Sequence, residues 1–208
     1  MNLEVSREST PILSFDSNPY LKGIEHLAGL YHAIKNKTVL KITYQDFLSP
    51  EPYDLIIHPY FLKQYNQRWF LFGLNEENQN PAWNLAIDRI HVVTEISRPY
   101  QPNRDIDWTE YFDDIIGVTK PPDAEPETVV LHFYGISGKY VENKPIHGSQ
   151  KTKWLEDGVL EVQLQLIPNY ELERLILSHG EHVKVIHPKN VRDSLLIRTN
   201  NLLKILSI

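Results

Sequence analysis

The sequence predicts a mixed α+β protein with an N-terminal helix, a small antiparallel β-barrel and then a small two-layer α+β domain. The first observation is the segment 68–74, Arg-Trp-Phe-Leu-Phe-Gly-Leu, which is apolar on both faces of a strand. Such a strand needs cover on both sides, as the wall of a small filled barrel provides. The second is a series of short strands with turn residues between 39 and 96. The third is the alternation of strands and helices after residue 126.

Composition limits the classes of protein to which the chain can belong. It has 208 residues, of which 41% are hydrophobic and 23% charged, as is ordinary for a globular chain with one or two cores. The formal net charge of -6 argues against a broad basic face that grips a nucleic-acid backbone. Cysteine, apolar runs of membrane-spanning length and a signal-peptide hydrophobic region are all absent from the sequence. We therefore expect a cytoplasmic protein with no membrane partner.

Residues 1–37 are predicted to form a polar arm and a leading helix. The residues Asp-Ser-Asn-Pro at 16–19 are a helix-start signal, because a polar cap candidate is followed by proline near the first turn. Apolar residues then recur at three- and four-residue spacing from Leu21 to Ile34. This spacing predicts one amphipathic helix that ends at about Lys37.

Residues 38–98 are predicted to form the barrel. Its strands are expected at 39–44, 55–62, 68–74 and 82–90. The second strand is expected to break at Pro59, because proline has no N–H to donate to the ladder. Residues 91–96 either continue the fourth strand or make a fifth.

Residues 99–126 are predicted to be a linker with one short helix at 107–112, and residues 127–208 a second domain of the order β-α-β-β-α-β. Asn169 is the predicted cap of the helix 170–179. The elements of this domain are expected at 129–134, 139–142, 152–155, 159–166, 170–179 and 183–186, with a closing helix at 190–206.

Several motifs, taken in order, resemble those of a known family. Trp69-Phe70-Leu71 looks like the Trp-Tyr-Leu signature of WYL domains, with Phe in place of the central Tyr. Companion motifs stand in matching order at 42–44 (Ile-Thr-Tyr), 58–60 (His-Pro-Tyr) and 87–90 (Ile-Asp-Arg-Ile). Each motif alone is weak, whereas the ordered set is fairly specific.

The second half of the chain, with Pro-Ile-His-Gly-Ser-Gln at 145–150, is similar to the C-terminal extension, called WCX, of many bacterial WYL proteins. The resemblance implies an Sm/SH3-like fold for the barrel and a homodimeric transcription regulator that senses a nucleotide or a short single-stranded nucleic acid. Members usually carry an N-terminal winged helix-turn-helix, and the residues before the first helix here are too few for one. DNA binding is therefore expected only through a separate or missing winged-helix region.

The chain departs from the family pattern where many members have arginine. In the strand ahead of the signature it reads Pro-Tyr-Asp at 52–54, and just before the Asp-Arg pair it reads Trp-Asn-Leu-Ala at 83–86. The loss of those guanidinium groups removes bidentate phosphate contacts that lysine does not reproduce. Anion recognition then falls to Lys63, Arg68, Arg89 and His58.

The candidate ligand-binding residues are aromatic, charged and hydrogen-bonding side chains of the barrel: Tyr44, His58, Tyr60, Lys63, Tyr65, Arg68, Trp69, Asp88 and Arg89. The tyrosines either stack on a base or sugar or are ordinary β-structure residues. Trp69 either lines the site or packs in the core, and Asp88-Arg89 is either a structural ion pair or contains a ligand-contacting guanidinium. His58, before Pro59, either shapes a turn or donates a hydrogen bond at the pocket mouth.

We predict no catalytic, metal or cofactor site. Ser149 lies in His-Gly-Ser-Gln, which lacks the Gly-x-Ser-x-Gly elbow of a hydrolase. His179 and His182 lie on either side of a helix stop rather than on one helical face, which argues against a zinc site. A binding module is therefore expected rather than an enzyme. Two alternatives stay open: a protein–protein interaction module without a small ligand, and a metal-dependent hydrolase that uses His and Asp.

Overall fold

The computed structural model describes residues 20–207. The predicted arm at 1–15 and the helix-start signal at 16–19 lie outside the described residues. The chain has a mixed α+β fold with two antiparallel sheets, which confirms the predicted fold class. Within residues 20–207, no helix combines the length and the apolar character that crossing a bilayer requires.

The leading helix begins later than the apolar spacing predicts. Helix α1 spans Leu27–Asn36 and follows a 3-10 turn at Ile24–His26. The chain before this turn contains Gly23, whose φ of 82° lies in the left-handed region. A Cβ atom at Gly23 would lie 2.3 Å from the carbonyl oxygen of Ile87, so glycine lets the chain lie directly against the barrel before the helix begins.

The first sheet contains five strands: β1 (Val39–Tyr44), β2 (Tyr53–Tyr65), β3 (Arg68–Asn75), β4 (Asn80–Ala86) and β5 (Ile90–Ile96). They pair in the order β4-β3-β2-β1-β5, so β4 and β5 are its edges, and residues 90–96 form a separate fifth strand. If the sheet were flat, these edges would lie about 19 Å apart. One 3-10 turn, Ile87–Arg89, joins them, and a link of this length spans at most about 14 Å. The sheet is therefore rolled up, as a small barrel requires.

Strand β2 is longer than the sequence predicts. The expected break at Pro59 is wrong, because the strand continues through Pro59 and has 13 residues in total. Its register with β3 shifts between Pro59 and Phe61, and a bulge of this kind accommodates a residue without an N–H and bends the strand. Residues 53–57 of β2 pair with β1, and residues 57–65, on both sides of the bend, pair with β3.

Both faces of β3 are covered, as its two-sided apolar sequence predicts. Leu71 is buried in the barrel core, and Trp69 packs against the same core. Phe70 and Phe72 belong to a separate cluster on the other face, together with Val118 and aromatic residues of the linker. The linker therefore supplies the outer cover of the barrel wall.

The short helix predicted at 107–112 is wrong, because this part of the linker forms turns. The side chain of Asp107 accepts hydrogen bonds from the amide and the hydroxyl of Thr109, as a helix cap does, and the Tyr111 amide donates to the Asp107 carbonyl, but the chain does not continue into a helix. The turns bring Trp108 and Phe112 onto the outer face of the barrel. The ring of Trp108 stacks on Phe61 with centroids 5.4 Å apart and planes inclined by 2°.

The second sheet contains β6 (Glu127–Phe133), β7 (Lys151–Trp154), β8 (Leu160–Leu166) and β9 (Val183–His187), and its helices are α2 (Ile136–Asn143), α3 (Tyr170–Ser178) and α4 (Lys189–Leu206). The strand order is β7-β8-β6-β9, and every pair is antiparallel. Side chains of β8 alternate between buried and more exposed, so one face of the sheet packs against a core. The order of strands and helices agrees with the predicted β-α-β-β-α-β series.

Candidate ligand-binding cleft

A cleft of about 380 Å³ lies between one end of the barrel and the second domain. Strands β1 to β4 supply one wall, while residues 118–119 of the linker and the start of α3 supply the other. Aromatic rings and guanidinium groups predominate in the lining: Tyr44, Tyr53, Tyr65, Phe70, Trp83, Tyr170, Arg68, Arg89 and Arg174. The carboxylates of Asp46 and Glu171 also line the cleft.

Tyr44 and Arg89 lie together in the barrel wall of this cleft. Burial raises the pKa of the Tyr44 phenol, and the neighbouring Arg89 guanidinium acts in the opposite direction. The Arg89 guanidinium lies 3.8 Å from the centroid of the Phe47 ring, and its Nε is shielded from water and has no hydrogen-bond acceptor in the described part of the chain. Across residues 20–207, no carboxylate forms an ion pair with Arg89. Within the described residues, its charge is therefore not neutralised by an ion pair.

Asp46 keeps a negative charge in the same wall. Its carboxylate accepts hydrogen bonds from the amides of Leu48 and Ser49 and from the hydroxyls of Ser49 and Tyr53. These bonds lower the pKa of Asp46 to about 2, so the side chain is ionised at neutral pH.

Arg68 is the ion-pair partner of Asp88. Its Nη2 atom lies 2.8 Å from one carboxylate oxygen of Asp88 and 2.7 Å from the other. The pair is partly exposed, with 35% of the Arg68 side chain and 20% of the Asp88 side chain accessible to solvent. The ion pair considered for Asp88 is thus made with Arg68 on β3, whereas Arg89 has no ion-pair partner among residues 20–207.

The second wall is held to the linker by the capping residue of α3. The side-chain oxygen of Asn169 accepts a hydrogen bond from the Leu172 amide at 2.9 Å, which confirms the predicted cap. The side-chain nitrogen donates to the carbonyl oxygens of Ile116 at 2.8 Å and Thr119 at 2.9 Å. The buried side-chain amide of Asn169 thus holds the start of α3 against residues 116–119 of the linker.

Glu171 follows the cap and lies against the linker. One carboxylate oxygen accepts a hydrogen bond from the Thr119 hydroxyl at 2.7 Å. The other is shielded from water and has no donor within the range 20–207 that the structure describes. Gly117 has a φ of 87°, and a Cβ atom there would lie 2.6 Å from Cγ of Glu171. Glycine is therefore required here both for the backbone conformation and for the approach of the glutamate.

Comparisons with known proteins decide the family. The family model of the WYL domain matches residues 25–95, and that of the WCX domain matches residues 125–203. The chain belongs to the WYL-domain proteins with a WCX extension. Comparison with curated protein sequences gave no match.

Two solved structures are similar to this WYL–WCX chain. Proteasome accessory factor B/C (PafBC) of Arthrobacter aurescens is 15% identical, with 86% of this chain and 27% of that chain covered and a TM-score of 0.36. A CRISPR Cas-related protein is 12% identical, with 89% of this chain and 53% of that chain covered and a TM-score of 0.52. The second likeness shows a shared fold. The WYL–WCX chain therefore spans about a quarter and about half of the lengths of these two structures.

The structure brings only some of the predicted site residues together in the cleft between the WYL and WCX domains. Those that line it are Tyr44, Tyr65, Arg68 and Arg89. Tyr65 also packs against the core of the WCX domain, so it contacts both sides. Asp88 reaches this group through its ion pair with Arg68.

His58 lies elsewhere, fully buried beneath the linker. Its Nδ1 accepts a hydrogen bond from the Gln101 amide at 3.0 Å, and its ring packs edge-on against Tyr100 with centroids 5.7 Å apart. Burial lowers the pKa of His58. Tyr60 also contacts this part of the linker, because its hydroxyl donates to the Gln101 carbonyl at 2.8 Å. Both residues therefore fasten the linker to β2.

Lys63 and Trp69 also lie outside the lining of the cleft. The Lys63 ammonium lies 4.0 Å from the centroid of the Phe112 ring, and burial lowers its pKa. Trp69 packs against the barrel core, which agrees with the packing alternative for this residue. These contacts hold the barrel wall and its outer cover together.

Sequence reasoning missed Asp46 and Tyr53 in the WYL domain and Glu171 and Arg174 in the WCX domain. For Asp46, the signal was present in the spacing Asp-x-x-Ser before Pro50, which is typical of a side-chain-stabilised turn. For the WCX residues, the sequence held no local signal, because their place depends on how α3 lies against the linker. In the part of the chain from 20 to 207, no group of three His, Asp or Glu side chains converges to hold a metal ion.

Proposed function

We propose that this chain is the ligand-sensing part of a transcription regulator and that the cleft between its WYL and WCX domains binds a nucleotide or a short single-stranded nucleic acid without catalysis. The WYL and WCX domains support a regulatory role. The ligand class is supported by one observation above all: aromatic rings and guanidinium groups converge in a cleft that both domains line. Rings stack on bases, and guanidinium groups bind phosphate.

Arg89 is the proposed phosphate-binding group. It has no carboxylate partner in the described residues, and Tyr44 and Tyr53 line the same wall. Arg68 contributes less to the binding of an anion, because Asp88 already neutralises it. The absence of cysteine supports a cytoplasmic location for such a sensor.

Binding in this cleft would couple the two domains. A ligand that contacts both walls stabilises the arrangement of the two domains in which it can make both sets of contacts. Other arrangements of the domains then become less populated. Asn169 joins the start of α3 to residues 116–119 of the linker, so a shift of α3 also moves these residues. Such a shift would change the DNA binding of a winged-helix region that is attached to this chain or associated with it.

We also propose that the chain forms homodimers through α4. Leucines at positions 196, 203 and 206 recur at spacings of seven and three, so they share one face of the helix, and 60% of Leu203 is exposed. Exposed apolar surface of this extent is typical of an interaction site. A different protein partner on this face is the second candidate, and analytical ultracentrifugation of the purified chain separates the two. A monomer at micromolar concentration would contradict the homodimer and favour the other partner.

Isothermal titration calorimetry tests the ligand proposal. The probes are mononucleotides, dinucleotides, cyclic nucleotides and short single-stranded oligonucleotides. For any probe that binds, Arg89→Ala is expected to weaken binding about tenfold or more, because a charge-assisted contact is lost. Arg104→Ala is the matched control, since it removes the same charge from an exposed position outside the cleft. No binding by any probe, or equal effects of the two variants, would contradict the proposal.

A further inference from the structure

We infer that Glu171 makes the cleft selective for nucleotides whose base carries an exocyclic amino group. This inference rests on the proposed function, since it names the kind of nucleotide that the cleft between the WYL and WCX domains accepts. It assigns base recognition to the WCX domain, at a residue outside the WYL motifs.

The position of Glu171 is built by several contacts. Asn169 fixes the start of α3 through its hydrogen bonds to Ile116 and Thr119. Gly117 leaves room for the glutamate side chain, which lies in the wall of the cleft. A side chain held in this way is suited to recognition, because little conformational entropy is lost when a ligand binds.

The hydrogen-bonding capacity of Glu171 is only partly used. An ionised carboxylate accepts hydrogen bonds and donates none. The Thr119 hydroxyl donates to Oε1 at 2.7 Å, whereas Oε2 is shielded from water and has no donor among residues 20–207. Each carboxylate oxygen has two lone pairs, and the bond to Thr119 lies at an exposed position, so Oε1 can accept a second hydrogen bond from the cleft. A ligand that brings a donor to this carboxylate would satisfy it.

The other charged groups of the cleft determine which end of a nucleotide reaches Glu171. Arg89 lies beside Tyr44, and its positive charge favours the phosphate. Glu171 lies close enough to Tyr65 to act on the pKa of that phenol, which burial and the negative charge both raise. Arg174 lines the same wall and acts on the pKa of Tyr65 in the opposite direction. The Glu171 carboxylate itself repels a phosphate, so the base is the part of the ligand that contacts it. Tyr65 offers that base a ring on which to stack.

The chemistry of the bases then gives the selectivity. Adenine, cytosine and guanine each carry an exocyclic amine that donates hydrogen bonds, and carboxylates accept from the cytosine amine in known recognition modes. A base with a carbonyl oxygen at that place sets an acceptor against the carboxylate, which leaves both groups unsatisfied. A buried polar group that loses its partner in this way discriminates strongly against the analogue.

Calorimetry with matched nucleotide pairs tests the inference on the whole chain. The first two pairs, AMP with purine riboside 5′-monophosphate and GMP with IMP, each differ in one amino group. The third pair, CMP with UMP, exchanges an amine for a carbonyl and also adds a proton on N3. For at least one pair, the amino nucleotide is expected to bind wild type about tenfold more tightly, as for a hydrogen bond to a charged group. Glu171→Gln is expected to reduce this ratio to about two or less, since the neutral amide both donates and accepts.

Two controls isolate the carboxylate of Glu171. Glu173→Gln makes the same change two residues along α3, where the side chain pairs with Arg198 instead of lining the cleft, and it should keep the preference. Thr119→Ala removes the donor to Oε1 but leaves the carboxylate, and it should also keep the preference.

The wild-type ratios need no variant, so a folding defect in Glu171→Gln would not prevent a decision. Equal affinity of wild type for both members of every pair would overturn the inference, as would an unchanged ratio in a folded Glu171→Gln variant. In both cases nucleotide binding, and with it the proposed function, would stand. If no nucleotide binds wild type, the proposed function and the inference are overturned together.

Discussion

Replacement of Asn169 by alanine is expected to destabilise the chain by about 3 kcal/mol. Loss of the cap on the Leu172 amide costs about 1 kcal/mol. Loss of the two bonds to the Ile116 and Thr119 carbonyls costs about 1 kcal/mol each, because both carbonyl oxygens lose their donor at a buried side chain. The sum is large for one side chain that connects α3 to the linker, since whole domains are stable by only about 5–15 kcal/mol.

A second substitution separates the two contributions. Asn169→Asp keeps an oxygen that can cap α3 but removes both N–H donors and sets a carboxylate against two carbonyl oxygens. It is expected to cost about 2 kcal/mol or more, close to the carbonyl part alone. Asn143→Ala is the matched control, because the Asn143 amide donates to the Lys139 carbonyl at an exposed position.

Urea unfolding followed by far-ultraviolet circular dichroism measures these differences. The midpoint should fall for both Asn169 variants with little change in slope, and Asn143→Ala should stay within about 0.5 kcal/mol of wild type. If Asn169→Ala were no less stable than Asn143→Ala, the amide of Asn169 would not join α3 to the linker. A stable Asn169→Asp beside an unstable Asn169→Ala would restrict the role of this residue to the cap.

Three further changes test other parts of the structure. Gly117→Ala should destabilise by about 1–2 kcal/mol more than Gly180→Ala in urea unfolding, because both glycines have positive φ but only Gly117 has Glu171 in the way. Burial lowers the pKa of His58, so the unfolded chain takes up the proton more readily; stability should fall as the pH drops below about 6.5, and this loss should be smaller in His58→Asn. An equal pH dependence in both chains would refute that role. Trp108→Ala should cost about 3 kcal/mol through the aromatic cluster on β3, and a cost near zero would mean that the linker does not cover the barrel.

Residue patterns that repeat predicted the fold well. The two-sided apolar segment 68–74 predicted a strand with cover on both faces, and the alternation in β8 predicted a strand with one buried face. Asn169 predicted the start of a helix because capping depends on a residue and its close neighbours along the chain. These features depend on residues that lie close together along the chain, so the sequence alone is enough to predict them.

Predictions failed where a distant contact outweighs a local preference. The segment 107–112 has a helix-start pattern and its aspartate makes the cap bond, but the aromatic rings that follow pack on the barrel and the chain forms turns instead of a helix. The ion pair of Asp88 is made with a residue twenty positions earlier, because the roll of the sheet brings β3 beside the 3-10 turn. The structure places the predicted site residues His58 and Lys63 against the linker and outside the cleft, a position that no pattern around either residue indicates. The contribution of Glu171 depends on how two domains meet, and no spacing along the chain encodes that.

The placement of β3 between two clusters has a consequence for the precision of its pairing. Neighbouring side chains along this strand enter different hydrophobic clusters, Trp69 and Leu71 on one side and Phe70 and Phe72 on the other. A slip by one residue would exchange the occupants of both clusters, whereas in a half-exposed strand it would merely turn one apolar row to water. A shift in the pairing of β3 would therefore disrupt the packing of both clusters. Because this packing fixes the register of the strand, it also fixes the position of Arg68 in the lining of the cleft.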